Sequence, residues 1–412
     1  MDVDKIRQQF PFLASKTTPI YFDNAATTQK PQVVLDAVTD YYFHHNGNPG
    51  RGHHRFARDT TAMYEAARVQ VQKFIHARYP EEIIFTRNTT ESLNLAATLV
   101  ARKLQTEDVI VLTRSEHHSN LLPWLKLSKE QSVRIEYLPI NDRYQLDFKI
   151  NRTQDKNDHL KVLSIPHISN VLGVVNPVAE IVRYFKDQNP AILTVIDAAQ
   201  SAAHLPINVQ TLDCDFLAFS GHKMYAPMGI GVLYIKKELA DTLEPVLLGG
   251  GMIEDVSFTT YTAAKTPTKF EAGTPNVASA VGLAAAVRFI NEVGFVAITA
   301  HEDELTKYLL DKLRNLDING LKTHINGSNH QTGIVSFEIA GIASEDIATF
   351  LDEDQIMVRS GKHCAYPLHD EIIKSPGTVR ISFGIYNTKA EIDRLINSLK
   401  NAYQLLHNQF CG

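Results

Sequence analysis

Three short segments carry side chains whose types and spacing suit one kind of chemistry. Asp197 and Gln200 follow an apolar run that ends at Ile196, and Ser220-Gly221-His222-Lys223 follows another that ends at Phe219. A lysine amine can form a Schiff base with an aldehyde. A carboxylate can keep a ring nitrogen protonated, so that the ring draws electrons more strongly. Thr89 and Thr90 open a helical pattern directly after Ile83 to Thr86, where hydroxyls and free backbone N–H groups face an anion such as phosphate. Aldehyde, ring nitrogen and phosphate together describe pyridoxal 5'-phosphate. Taken singly these residues are bland: a strand-end Asp is commonly a cap, a lone Lys a solvated surface residue, and Thr-Thr an N-cap. Their ordered combination is what points to a cofactor. Cys364 is a further reactive candidate, because Arg359, Lys362 and His363 lie within five residues of it and nearby cations favour a thiolate. The polar, glycine-containing run Arg359 to His363 reads as an exposed loop after a strand at Ile356.

The elements that must position these groups can be read from the apolar runs. From about residue 80 to 240, short runs rich in β-branched residues alternate with helical patterns: Ile83–Phe85, Val109–Leu112, Ile135–Leu138, Val162–Ile165, Ile192–Ile196, Phe216–Phe219 and Gly231–Tyr234. Strands that alternate with helices and are nearly continuously apolar predict an α/β fold, with a mixed, mostly parallel seven-stranded sheet covered on both faces. Open α/β sheets bind ligands beyond the carboxyl ends of their strands, which is where Asp197 and Lys223 fall. Residues Gly249 to Asn276 break the pattern, with Gly-Gly-Gly at the start, Pro267, Pro275 and no clear period. An irregular stretch of that length is usually functional, covered by a partner or disordered. Val277–Ile290 then reads as a helix, Ile334–Ile339 as a strand, Glu345–Asp352 as a helix, Val379–Phe383 as a strand and Lys389 through His407 as a helix. The expected division is a large cofactor-binding domain over residues 21–291, with a smaller α+β domain from residues 1–20 and 292–412 that carries the active-cysteine segment.

In this order the motifs resemble those of the class V aminotransferases, a family of pyridoxal-phosphate enzymes of fold type I. Asp197-Ala-Ala-Gln200 and Ser220-Gly-His-Lys223 are similar to its cofactor motifs, and Tyr21 to Pro31 is similar to its opening motif. Thr86 to Glu91, Glu116 to Asn120, His167 to Gly173 and Phe270 to Asn276 match as well, and Arg359 to Ala365 resembles the active-cysteine segment of Suf-type (group II) cysteine desulfurases. The resemblance implies that Lys223 forms the Schiff base, Asp197 pairs with the pyridinium nitrogen, His117 stacks on the ring and Gln200 bonds its phenolic oxygen. It implies that Thr89, Thr90, Ser220 and His222 hold the phosphate, with Thr274 reaching the phosphate of the other subunit of a homodimer. Asn170, Arg359 and Arg380 are implied in binding the substrate, the carboxylate falling to Asn170 and Arg380. Cys364 is implied as the nucleophile that takes sulfur from L-cysteine as a persulfide, leaving L-alanine, and passes it to a Suf-type acceptor protein for iron–sulfur cluster assembly. Selenocysteine lyase, another lyase or transaminase of the same fold, and a non-catalytic interaction protein are the alternatives; Cys364 argues against the plain lyase or transaminase, and intact Lys223 and Asp197 against the last. The chain departs from its relatives in two places. Gly50-Arg51-Gly52-His53-His54 stands where His-Arg-Gly-x-His is usual, and Lys362-His363 where His-His precedes the cysteine.

Other classes fit less well. The net charge is −5, from 41 Lys and Arg against 46 Asp and Glu, with no basic run, so nucleic acid and anionic membrane have no footprint. The start, Met1 to Phe10, is too polar for a secretory signal, and no stretch approaches the roughly 18 apolar residues of a membrane span. Three cysteines, Cys214, Cys364 and Cys411, do not make a disulfide framework, and the cytoplasm is the expected compartment. Cys214 reads as a packing residue and Cys411 as exposed. Neither His117-His118 nor the group His363, Cys364, His369 and Asp370 has metal-ligand spacing, so no metal is expected. A nicotinamide site would need G-x-G-x-x-G after the first strand, and that motif is not there.

Overall fold

The computed structural model describes the chain except residues 15–18, 51, 150–158, 326–331 and 411–412, so Arg51 and Cys411 lie outside the described residues. All seven apolar runs enter one sheet. Its strands are β2 (Ile83–Thr86), β3 (Val109–Thr113), β4 (Arg134–Leu138), β5 (Leu160–Pro166), β6 (Leu193–Asp197), β7 (Phe216–Ser220) and β8 (Gly231–Ile235), in the order β2-β8-β7-β6-β5-β3-β4. Strands β4, β3, β5, β6 and β7 run parallel, and β8 is antiparallel to both β7 and β2. Every residue of β3, β7 and β8 is buried, as expected of strands covered on both faces. One face packs on the helices Arg55–Phe74 and Val277–Val293, the other on Thr89–Ala101 and His118–Gln131. Among the described residues no single helix is long and apolar enough to cross a membrane.

A second core surrounds an antiparallel sheet of β11 (Leu321–His324), β12 (Ile334–Ile339), β15 (Thr378–Ser382) and β14 (Arg359–Gly361), in that order. The helices Ser344–Glu353 and Lys389–Phe410 complete it. The short β1 (Ile20–Tyr21) reaches this core and pairs in parallel with β13 (Ile356–Met357). Helix Phe295–Arg314, just after the expected boundary near residue 292, joins the two cores: Ile298 packs in the large core, Leu305, Leu309 and Leu313 in the smaller one.

Three local readings need correction. Residues 1–20 do not all side with the smaller unit: Ile6 and Phe10 are buried in the large core, and the Phe10 ring meets Tyr225, Phe289 and Tyr386 edge-on. The irregular 249–276 stretch contains a hairpin, β9 (Ile253–Val256) with β10 (Tyr261–Ala263), exposed on both faces. With neither face buried, it leaves no alternation in the sequence. Arg359–Gly361 is an edge strand paired to β15 rather than loop, and the turn proper begins at Lys362.

Candidate active site

A cavity of about 610 Å³ opens beyond the carboxyl ends of β6 and β7, where Asp197 and Ser220 end their strands and a tight turn presents Lys223. Of the residues singled out in the sequence, it gathers Thr89, Thr90, His117, Asn170, Asp197, Gln200, Ser220, His222, Lys223, Arg359, Cys364 and Arg380. Thr274 is not among them. It lies exposed beside two other depressions, near Tyr42 and Leu247.

At one end the groups suit an anion. Asn88 caps the helix Thr89–Ala101 by accepting from the Glu91 N–H at 2.9 Å. The Thr89 N–H donates to Ser220 Oγ at 2.7 Å, and the two hydroxyls lie 2.6 Å apart. Thr90 Oγ1 meets Ser119 Oγ at 2.7 Å. His222 Nδ1 is buried without a partner, and burial lowers the ring's pKa to about 4, so it is a neutral side chain with an unused polar atom. The carbonyl of His222 is pinned by the Thr28 N–H at 3.0 Å and the Thr27 and Thr28 hydroxyls at 3.1 Å each, which fixes the turn next to Lys223.

Among the described residues the Asp197 carboxylate accepts only from the Ala199 N–H at 2.9 Å, and burial holds its pKa above the usual carboxylate range. Burial lowers Lys223 to about 8 against the pull of Asp197, so an appreciable part of this amine is neutral near pH 7. His117 caps the helix His118–Gln131: its Nδ1 accepts from the Ser119 N–H at 3.0 Å, so the neutral ring carries its proton on Nε2. Burial lowers His117 to about 3, which keeps the ring uncharged at neutral pH. Gln200 donates one N–H to Ala25 O at 2.9 Å and retains a second donor.

Cys364 lies exposed at the rim. It and His363 both adopt left-handed backbone, with φ of +56° and +48°, an arrangement that costs side-chain-bearing residues about 1 kcal/mol or more each. Neighbouring groups hold the turn in place. Asn170 Nδ2 donates to His363 O and the His118 N–H to Cys364 O, both at 2.8 Å. The latter bond ties the cysteine to the His117 helix. The cations that the sequence sets beside Cys364 are each engaged: Lys362 with Asp370, Arg359 with Asp23, while burial lowers His363 to about 2 and leaves it neutral.

Sequence reasoning missed three supports. Asp23 faces both Arg359 and Arg380. Glu116 is buried beneath His117, accepting from Thr113 N–H, Thr113 Oγ1 and Asn120 Nδ2, and burial raises it to about 8. Thr378 Oγ1 joins His363 Nε2 at 2.9 Å and His369 Nε2 at 3.2 Å. Because His369 Nδ1 donates to Ala365 O, its Nε2 accepts from the Thr378 hydroxyl, which in turn accepts from His363 Nε2–H. Only chain folding brings Asp23 to the two arginines and Thr378 to the two histidines, whereas Glu116 bonds within the local run Thr113 to Asn120.

The arrangement fits pyridoxal 5'-phosphate: an unpartnered His222 nitrogen and a hydroxyl-rich helix start for the phosphate, Lys223 for the aldehyde, and a buried Asp197 carboxylate for the ring nitrogen. The family Aminotransferase class-V matches residues 20–395. A probable cysteine desulfurase from Halalkalibacterium halodurans is 42% identical over 415 residues, covering all of both chains. One from Synechocystis is 40% identical, covering 96% of this chain and 94% of its own. Among solved structures, the apo cysteine desulfurase from Thermococcus onnurineus superposes with a TM-score of 0.92 at 40% identity, covering 97% of this chain and 98% of that one. The cysteine desulfurase CsdA from Escherichia coli does so at 0.89 and 35%, covering 98% and 99%. The chain therefore belongs to the class-V aminotransferases, and within them to the pyridoxal-phosphate-dependent cysteine desulfurases.

Proposed function

We propose that this protein is a Suf-type cysteine desulfurase: L-cysteine and the Cys364 thiol give L-alanine and a Cys364 persulfide, which is passed to an acceptor protein for iron–sulfur cluster assembly. One C–S bond breaks, one S–S bond forms, and no outside oxidant or reductant is needed. The observation that carries this reading is the exposed Cys364 on the rim of the cavity that holds Lys223 and Asp197, with its backbone bonded to the His117 helix. When bound, pyridoxal 5'-phosphate supplies the electron sink that lets bonds at the amino acid's carbons break and re-form.

The chain's own residues divide the remaining work. Thr89, Thr90, Ser220 and His222 would hold the phosphate, and His117, neutral with its proton on Nε2, would face the ring. Asp197 keeps a positive charge on the ring nitrogen, and Gln200's second N–H serves the phenolic oxygen. Lys223 holds the cofactor and, with its lowered pKa, takes and returns a proton near neutrality. Arg380, buried and with its Nε unpartnered, binds the substrate carboxylate together with Asn170, with Arg359 alongside. Cys364 attacks the substrate sulfur as a thiolate.

Two further parts of the reading follow from placement. Thr274 lies outside the cavity, in depressions lined by exposed Tyr42 and Leu247, which supports a homodimer in which Thr274 serves the other subunit's phosphate. A persulfide carrier has to meet reduced partners between turnovers, which fits the cytoplasm. Alanine and persulfide assays with L-cysteine under reducing conditions test the whole. Cys364→Ser is expected to bind the cofactor and L-cysteine but to release at least roughly a hundredfold less alanine, the scale on which loss of an activated nucleophile is felt. Turnover of that variant at the parental rate would make the protein a lyase or transaminase instead.

A further inference from the structure

The two substrate-side guanidinia stand directly opposite each other in the smaller sheet, since Arg359 of β14 is the cross-strand partner of Arg380 of β15. Like charges so placed repel. Arg380 is also buried, where water screens little, and burial lowers its pKa to about 10. One carboxylate lies between them: Asp23 Oδ1 is 3.3 Å from Arg380 Nη2, and Asp23 Oδ2 is 3.3 Å from Arg359 Nε. Asp23 is held there by the backbone rather than by attraction alone. It forms a parallel bridge with Ser382 at the end of β15, flanked by Ser382 N–H to Phe22 O at 2.7 Å and Asn24 Nδ2 to Ser382 O at 2.8 Å.

The charges around the entry sum simply. Arg359 and Arg380 contribute two positive charges and Asp23 one negative. Lys362 is paired with Asp370, and His363 is uncharged. Farther in, Lys223 and Asp197 oppose each other in sign. The guanidinium pair therefore meets a ligand with a net charge of one, matched to one carboxylate. Arg380 Nη1 is spent on Asn170 O at 3.0 Å, and its buried Nε–H is left for that ligand.

We propose that Asp23 is a specificity-determining residue: by cancelling one of the two guanidinium charges at the cavity, it admits amino acids with a single carboxylate and disfavours those whose side chain carries a second anion. The proposal rests on the reading of Arg359 and Arg380 as the substrate-binding pair. Asp23 acts through them, as a repulsive element against the wrong substrate.

The test compares two amino acids that differ only by a side-chain carboxylate, L-alanine and L-aspartate. Their affinities are measured by titrating the visible absorbance of the cofactor-loaded protein, which does not require turnover. In Asp23→Asn the affinity ratio is expected to move toward L-aspartate by roughly tenfold, the scale of one extra partly screened charge a few ångströms away. Asp23→Glu should keep the parental ratio. Arg359→Gln, at a half-exposed side chain, should move the ratio the other way, and it decides the matter should Asp23→Asn fail to fold. A ratio unchanged within about twofold in Asp23→Asn, or in Arg359→Gln should Asp23→Asn not fold, against that tenfold expectation, overturns the proposal. Parental turnover of L-cysteine is followed separately. Its absence would count against the desulfurase reading, while the ratio would still decide the role of Asp23.

Discussion

Lys223 can react only as the free amine, and the cavity sets how much free amine there is. Burial lowers its pKa from 10.5 to about 8; Asp197 pulls it back up, and Arg380 and Arg359 push it down. At pH 7 the neutral share is about 10%, against about 0.03% for an ordinary lysine, a gain of roughly 300-fold in reactive amine. Two substitutions should move this balance in opposite directions. Asp197→Asn removes the carboxylate that favours the ammonium form, so the midpoint should fall below that of the parent. Arg380→Gln removes a repelling cation, so the midpoint should rise. The assay uses cofactor-free protein, a limiting small aldehyde, borohydride trapping over about pH 6 to 11, and mass spectrometry of the peptide that contains Lys223. The same shift has a signature in stability. The folded chain binds fewer protons at this site than the unfolded chain between about 8 and 10.5, so the contribution of Lys223 to stability rises with pH across that window. A parental midpoint near 10.5, or shifts of the same sign in both variants, would refute the account of the site's electrostatics.

Sedimentation at assay concentrations should find a homodimer, and Thr274→Val should weaken cofactor retention while leaving the dimer intact; an active monomer would count against the subunit-crossing role. Glu271→Ala should cost about 3–5 kcal/mol in denaturant unfolding, because it takes from buried Arg68 the carboxylate that lies 2.8 and 2.9 Å from Nη1 and Nη2, leaving only the half-exposed Glu65 and the Ile83 carbonyl. A cost under about 1 kcal/mol would mean that Glu65 alone balances the Arg68 charge. Lys362→Ala should lower the rate of persulfide formation by about threefold or less, since Asp370 already balances that charge and the pair is partly exposed to solvent; a loss as large as that of Cys364→Ser would give Lys362 a direct role.

The large sheet was legible because its strands are buried on both faces. Val109–Leu112 and Phe216–Phe219 have to be apolar at every position, and such runs stand out in any sequence. The gathering of Asp197 and Ser220 at one cavity was legible for a related reason: parallel strands deliver their C-terminal ends to one edge, so the two meet there whatever the loops do. The smaller sheet's edge was not legible. Strand β14 owes its existence to backbone bonds with β15, and its Arg-Ser-Gly has no strand preference of its own. The hairpin at Ile253–Ala263 buries neither face and so writes no pattern.

Charge was the quantity that local reading handled worst. Counting Arg359, Lys362 and His363 around Cys364 gives a strongly cationic segment, yet the fold sends Asp23 from more than three hundred positions away to one of them and Asp370 to another, and buries the third in neutral form. A cation's effect on a thiol depends on its nearest counter-charge, and that counter-charge is set by tertiary structure. Neighbouring positive residues are therefore a poor guide to how Cys364 reacts. Position is the firmer one. The left-handed pair His363–Cys364 is held by Asn170, which also accepts from Arg380, and by the N-terminus of the helix that His117 caps. The thiol is thus fixed relative to both Arg380 and His117, so on the proposed roles of these residues a substitution at Asn170 should disturb sulfur transfer and substrate binding together.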